Sequence, residues 1–186
     1  MKIRLASDIQ SDSIVDGIGI RAVVWTQGCS HNCPGCHNPG THDFNGGEEV
    51  ELEDVKDALS DLRFQDGVTF SGGDPFFQPA ACAELAKHIH DLGMNVWCYT
   101  GFLYEDLITA STKKKAIMDF LQEIDILVDG PFIMAKRSYN AKFRGSSNQR
   151  IIDIKRSLED GDVVLADLED EEQETNFGRY REKVFI

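Results

Sequence analysis

The chain has 186 residues, with 19 Lys and Arg against 32 Asp and Glu, a formal net charge of −13 and a pI near 4.7. That length suits one domain around one core, and 41% apolar with 27% charged residues excludes wholesale disorder. The acidity argues against nonspecific binding to nucleic acid or an anionic membrane, since both need a basic surface.

In chain order, residues 21–26 (RAVVWT) form a β-branched run that breaks at Gly28 and is predicted as a strand. A loop rich in cysteine and histidine follows, to about Gly47. Residues 51–64 place Leu52, Val55, Leu59 and Leu62 at helical spacing behind an acidic start. Residues 67–70 (GVTF) read as a short strand stopped by Ser71-Gly72-Gly73. A helix is predicted over 79–92, with Leu85, Ile89 and Leu92 on one face. Residues 95–100 (NVWCYT) read as a strand closed by Gly101. A helical stretch covers 104–122, broken near Ser111, and a strand over 124–128 ends at Asp129-Gly130-Pro131. Residues 149–154 and 183–186 are expected as further strands.

Strand and helix alternate with short connections, which implies parallel strands and right-handed crossovers. The chain is shorter than the ~250 residues of a full eight-fold barrel, so the expected class is α/β, a partial, open parallel β/α barrel. Chemistry in such folds sits at the carboxyl ends of strands. The glycine-bearing turns Gln27-Gly28-Cys29, Ser71-Gly72-Gly73, Tyr99-Thr100-Gly101 and Asp129-Gly130 all fall at such ends, so they are expected to share one face.

Charge is unevenly spread. Residues 158–175 hold nine acids and no base, whereas residues 136–156 hold seven bases and one acid. The expected organisation is a domain over 1–157 and an acidic, solvated extension over 158–186 that ends in a strand. The basic island is expected to serve as a docking surface. Residues 1–11 contain no apolar run of signal-peptide length, and no stretch approaches the ~20 apolar residues of a membrane span. The cytoplasm is the expected compartment.

Cysteine usage points the same way. Five cysteines is an odd number, and in a reducing compartment clustered thiols serve as metal ligands more than as disulfides. Cys29-Ser30-His31-Asn32-Cys33-Pro34-Gly35-Cys36 is C-x3-C-x2-C in a loop leaving a strand. Thiolates select iron–sulfur clusters, zinc or copper(I). Zinc would use Cys29, Cys33 and Cys36 with His31, His37 or His42. A 4Fe-4S cluster on the three cysteines would leave one iron free for a ligand. Cys82, on a helix, and Cys98, within a strand, read as buried small apolar residues. Trp25, Trp97 and Tyr99 read as core, and Lys113-Lys114-Lys115 as a solvated helix face. In Ser71-Gly72-Gly73-Asp74-Pro75, Asp74 also suits an N-cap, with Pro75 at the first helical position.

The cysteine motif followed by Ser71-Gly72-Gly73-Asp74-Pro75 resembles the two signatures of the radical S-adenosylmethionine (SAM) enzymes. Asp16-Gly17-Ile18-Gly19-Ile20-Arg21, Cys36-His37-Asn38-Pro39, Val128-Asp129-Gly130-Pro131-Phe132 and Arg144-Gly145-Ser146-Ser147-Asn148-Gln149 narrow the match. They resemble the activating proteins of anaerobic ribonucleoside-triphosphate reductase, and the resemblance runs from about Ile14 to Ile152.

That resemblance implies a radical SAM domain with a 4Fe-4S cluster on Cys29, Cys33 and Cys36. It implies SAM bound near Gly35, Cys36, His37, Gly72, Gly73 and Asp74, with the two β-turn glycines letting backbone approach the ligand and Asp74 facing its ammonium group. Gly35 stands where many superfamily members carry an aromatic residue, so adenine would rest on backbone near Gly35–His37. Asp74 stands where the wider superfamily often has glutamate. The implied activity is reductive cleavage of SAM and formation of a glycyl radical on the partner reductase, an oxidoreductase reaction. The implied partners are that reductase and a low-potential electron donor such as flavodoxin, with no nucleic acid and no membrane. No side chain is assigned a catalytic role of its own. The readings beside it are an activase of another glycyl-radical enzyme such as formate lyase, a deazaguanine-type ring-contracting enzyme, and a non-catalytic zinc-binding module.

Overall fold

The computed structural model describes residues 1–168; the strand expected over 183–186 and the acidic run beyond 168 lie outside the described residues. In chain order the elements are β1 (Lys2–Leu5), β2 (Gln10–Ser13), β3 (Arg21–Thr26), β4 (Glu48–Glu51), α1 (Leu52–Ser60), β5 (Gly67–Gly72) and α2 (Pro79–Asp91). They continue with β6 (Asn95–Tyr99), α3 (Tyr104–Ser111), α4 (Lys115–Leu121), β7 (Ile126–Asp129), β8 (Arg150–Asp153) and α5 (Ile154–Asp160). Short 3-10 turns cover Pro39–Thr41, Pro75–Phe77 and Met134–Lys136.

One mixed sheet runs in the order β4-β1-β3-β5-β6-β7-β8, with β2 also on β3. Its centre, β3-β5-β6-β7, is parallel. Its edges are antiparallel, which corrects the expectation of a parallel sheet throughout. The reason at β8 is its connection. Between β7 and β8 there is only the Met134–Lys136 turn, and without a crossover helix the chain returns antiparallel. Among the described residues β4 and β8 end the sheet without meeting, so it is open.

Most of the expected elements are found with shifted ends. β3 matches its predicted span, and β5 runs two residues further because Ser71 and Gly72 pair with Trp25 and Thr26. α3 and α4 divide just after Ser111. Two corrections concern residues 48–64. Glu51, expected to open the helix, instead ends strand β4, whose Glu49 and Glu51 meet Lys2 and Arg4 across the β1 pair, while Glu53 and Asp54 supply the acidic first turn of α1. The helix that follows stops at Ser60, whose hydroxyl donates back to the Lys56 carbonyl, and Phe64 is 80% exposed.

The two faces of the sheet carry different contents. On the helix side, Val24, Phe70, Cys98 and Leu127 pack against α1, α2 and α4, with Leu59, Leu85, Ile89, Phe120 and Leu121 fully buried. Alternate strand residues turn to the other face, where Trp97, Ile126 and Val128 form a smaller cluster with Ile18 and Ile151. Arg21 closes this face near the amino ends of the parallel strands. It is fully buried, with Nε donating to Thr69 Oγ1, Nη1 to Asn95 Oδ1 and the guanidinium over the Trp97 ring at 5.3 Å. The other end stays open. The boundary expected after residue 157 falls within α5, and the chain continues along β8, where Asp153 N donates to Val164 O and Ala166 N to Ile151 O. The segment 158–168 is therefore packed on the domain and not a free appendage.

Candidate functional site

At the carboxyl ends of β3, β5, β6 and β7 the sheet opens into a cleft of about 720 Å³. Cys29, Cys33 and Cys36 line it together with His37, Gly72, Gly73 and Asp74. The turns at Gly28, Gly72–Gly73, Gly101 and Gly130 meet at this end, because parallel strands in register end on one side. Gly35 lies off the wall. Its φ is +75°, a backbone conformation that favours glycine, and the nearest atom to a Cβ there would be the movable terminal methyl of Met134.

The cysteine loop is closed by its own backbone. Gly28 N donates to Thr41 O at 2.8 Å and Cys29 N to His42 O at 3.1 Å, while Gln27 Nε2 donates to Asp43 O at 2.6 Å. Within it Cys36 N donates to Cys33 O and Asn38 N to Cys36 Sγ. All three cysteines are free and half-buried. Burial pushes the Cys29 thiol up, against a lowering hydrogen bond from the His31 backbone, and Asp74 and the other two thiols add to the rise. Such a thiol ionises readily only when a cation shares its charge. Three soft thiolates on one loop, partly buried at one end of the cleft, are a donor set that fits an iron–sulfur cluster.

Asp74 organises the wall. It is 1% exposed, and its carboxylate accepts from Phe76 N at 3.0 Å, from Thr100 Oγ1 at 2.9 Å, from Gly101 N at 2.9 Å and from His31 Nε2 at 2.7 Å. The expected N-cap is thus present, on the 3-10 turn Pro75–Phe77 and not on a longer helix. The same carboxylate ties the ends of β5 and β6 to the cysteine loop. His31 packs edge-on against Phe102 at 4.4 Å, which fixes its ring. Neither the role of His31 nor that of Thr100 is visible in local spacing, because they lie 43 and 26 residues from Asp74.

Gly72, the last residue of β5, and Gly73 are required by the fold itself. At Gly72, φ is +98° and a Cβ would lie 2.6 Å from Thr26 O; at Gly73 it would lie 2.5 Å from Gly28 O. The side-chain direction is filled by the neighbouring turn, so glycine here lets two backbone turns touch. Gly73 N and Asp74 N complete the contact by donating to Thr26 O and Gly28 O.

On the far wall, segment 130–149 folds over the cleft. Gln149 Oε1 accepts from Gly145 N and Ser146 N while its Nε2 donates to Gly130 O. Asn148 Nδ2 donates to Pro131 O. Asp129, fully buried, is occupied by Arg150 and by Tyr104 N, and is not on the cleft wall. Arg150 reaches on to Glu105, which its hydrogen bond holds at about 2. Trp25 and Tyr99, expected as core, are only partly buried and form part of the wall, whereas Trp97 is buried as expected. Cys82 and Cys98 are fully buried behind the sheet, and burial pushes both thiols up. Sequence reasoning missed Ile14 and Val15 at the mouth, which are 75% and 70% exposed, and it placed Arg137 and Tyr139 in the basic island without linking them to the cleft they line.

Among the described residues, no helix is long and apolar enough to cross a membrane. A family model described as a 4Fe-4S single cluster domain matches residues 15–152. The anaerobic ribonucleoside-triphosphate reductase-activating protein of Escherichia coli (strain K12) is 33% identical over 145 residues, covering 73% of this chain and 90% of that protein. The protein of the same name from Salmonella typhi is 35% identical over 144 residues, with 73% and 90% covered. That of Enterobacteria phage T4 is 29% identical over 146 residues, with 74% and 86% covered. Among solved structures, QueE from Escherichia coli overlaps 54% of this chain and 53% of that chain at 14% identity, with a TM-score of 0.41. With its cysteine loop inside the matched span and close to three quarters of its length shared with these relatives, the chain belongs to the family of anaerobic ribonucleoside-triphosphate reductase-activating proteins and carries a 4Fe-4S single cluster domain.

Proposed function

We propose that the chain is a radical SAM activase, an oxidoreductase that reductively cleaves SAM and generates a glycyl radical on anaerobic ribonucleoside-triphosphate reductase. The observation that carries the reading is the meeting of three half-buried cysteines and the Gly72-Gly73-Asp74 turn on one cleft at the carboxyl ends of parallel strands. The open sheet is read as the partial barrel of the radical SAM type, formed by residues 1–157 together with the part of the acidic C-terminal stretch, 158–168, that lies along β8.

Cys29, Cys33 and Cys36 would hold the 4Fe-4S cluster. When bound, the cluster supplies the electron for SAM cleavage and one iron that no cysteine occupies. The chain's own residues bind, orient and shelter. Gly28, Gln27 and the Thr41–His42 carbonyls keep the cysteine loop closed. Asp74 fixes the β5 and β6 turns against that loop, so that Gly72, Gly73 and His37 line one binding wall for SAM. With its carboxylate already accepting from four groups, Asp74 acts on SAM chiefly by holding this wall. Phe132, 4.9 Å from the His37 ring, shields the side where Gly35 offers no aromatic cover.

The mouth between Ile14–Val15 and Arg137–Tyr139 would admit the reductase segment that carries the glycine. The basic residues around it would face the reductase or a low-potential donor such as flavodoxin in the cytoplasm. Anaerobic reconstitution with iron and sulfide tests the reading. It predicts a brown protein holding iron and acid-labile sulfide in equal amounts. Stoichiometric zinc without iron would overturn it in favour of a zinc-binding module.

A further inference from the structure

Among the described residues two buried side-chain atoms have no hydrogen-bond partner, Arg144 Nε and Asn148 Oδ1, and of these two residues only Arg144 lines the cleft. A guanidinium has five N–H donors. Arg144 uses Nη1 on the Gln149 carbonyl at 3.2 Å, and Nε is covered and unpaired. A covered donor on a cation is costly, and a two-oxygen anion relieves it as a bidentate pair.

The position of residue 144 is fixed from both sides. The Tyr99 hydroxyl donates to Phe143 O at 3.0 Å, which anchors the segment to the carboxyl end of β6. A Cβ on Gly145 would lie 3.0 Å from His37 Cε1, so the next residue abuts the neighbour of the third cysteine. The two acids on this wall are already engaged. Asp74 accepts from four groups, and Asp16 accepts from Ser13 Oγ at 2.5 Å. The wall thus presents an under-used cation to whatever enters the cleft.

We propose that Arg144 binds the carboxylate of the methionine moiety of SAM, its guanidinium turning about the last side-chain torsions to face Nε and Nη2 toward the ligand. The assignment rests on the activase reading above. SAM carries one anionic group beside its cationic ammonium and sulfonium, so a cation on this wall orients the molecule as well as holding it. Arg144 is on this account a specificity-determining residue, selecting ligands that keep the carboxylate.

The test is equilibrium dialysis of the reconstituted protein with SAM and with decarboxylated SAM, for wild type, Arg144→Gln and Arg144→Lys. Arg144→Gln is expected to weaken SAM about tenfold to a hundredfold, the range of a lost charge-assisted pair. Decarboxylated SAM should change less than about twofold, since it offers no partner to the guanidinium. Arg144→Lys should bind SAM between the other two, because it keeps the charge and loses the fork. Iron content and melting curves like wild type identify variants whose binding is comparable. If Arg144→Gln disturbs either, Arg144→Lys alone decides by whether its loss is larger for SAM than for the decarboxylated ligand. Equal losses for both ligands, or no loss for SAM, would overturn the assignment and leave the activase reading standing. Wild-type protein that binds neither ligand would overturn both.

Discussion

Asp74 accepts four donors while nearly excluded from water, so its loss is felt in three segments at once. Asp74→Asn replaces an acceptor with a group that must present N–H to one of those donors. Urea unfolding should show a loss of about 3 kcal/mol, the scale of hydrogen bonds to a charged group plus one unmet donor. An unchanged midpoint would contradict the organising role. Gly73→Ala is the sharper test of the turn. A methyl 2.5 Å from Gly28 O can be accommodated only by moving the start of the cysteine loop. Reconstituted Gly73→Ala should therefore retain only a minor fraction of wild-type iron while keeping its far-ultraviolet circular dichroism. Cys33→Ala should lose the cluster outright, whereas Cys98→Ala should keep wild-type iron, because that thiol is sealed behind the sheet. The cysteine spacing was legible in the sequence because all three ligands sit on one loop. The His31–Asp74–Thr100 tie was not, since it joins residues that meet only when β5 and β6 align.

The elements divide in the same way. β3, β5 and β6 were legible as short, almost continuously buried runs that break at glycine turns, and α2 because Leu85 and Ile89 recur at the helical period. β2 (QSDS) buries only Ser13 and β4 (EEVE) buries nothing fully, so their extended form comes from pairing with β3 and β1 and leaves no hydrophobic alternation to read. At the opposite end of the sheet from the cleft, Asp125 joins α2, β7 and α5. Burial pushes its carboxyl up, but hydrogen bonds from His90, Lys155 and Val96 N outweigh that and hold it at about 2, below its ordinary 3.8. A carboxyl depressed on folding stabilises above its unfolded value, and that contribution is lost as pH falls from 3.8 toward 2. His90 is raised from 6.5, chiefly by its hydrogen bond to Asp125, so its contribution is present below 6.5 and fades as pH rises through the folded value. Urea midpoints against pH should fall on both sides. Asp125→Asn should flatten both limbs, with Glu123 leaving a residue of the His90 effect through its contact at 3.6 Å. A variant profile parallel to wild type would contradict this.

For the whole molecule, the net charge of −13 hides an arrangement. Of the basic island, Arg150 is engaged by Asp129 and Glu105 and Lys155 by Asp125, so these two hold the fold. Lys136 and Arg137 are exposed, and Arg137 lines the cleft and lies over the Tyr139 ring at 4.7 Å. Replacing both with glutamate should slow activation of the reductase at low salt and matter less as salt rises, the signature of long-range steering. Equal rates at low salt would remove the island from docking. Composition indicated the sign of this patch, but only the fold separates the paired cations from the exposed ones. The claim on which the rest depends is that the three cysteines and the β5 turn make one radical-generating site. Electron paramagnetic resonance of the reduced, reconstituted protein mixed with SAM and the reductase tests it most directly. The account predicts a glycyl-radical doublet, accompanied by 5′-deoxyadenosine. A full cluster that gives neither signal nor 5′-deoxyadenosine would contradict it.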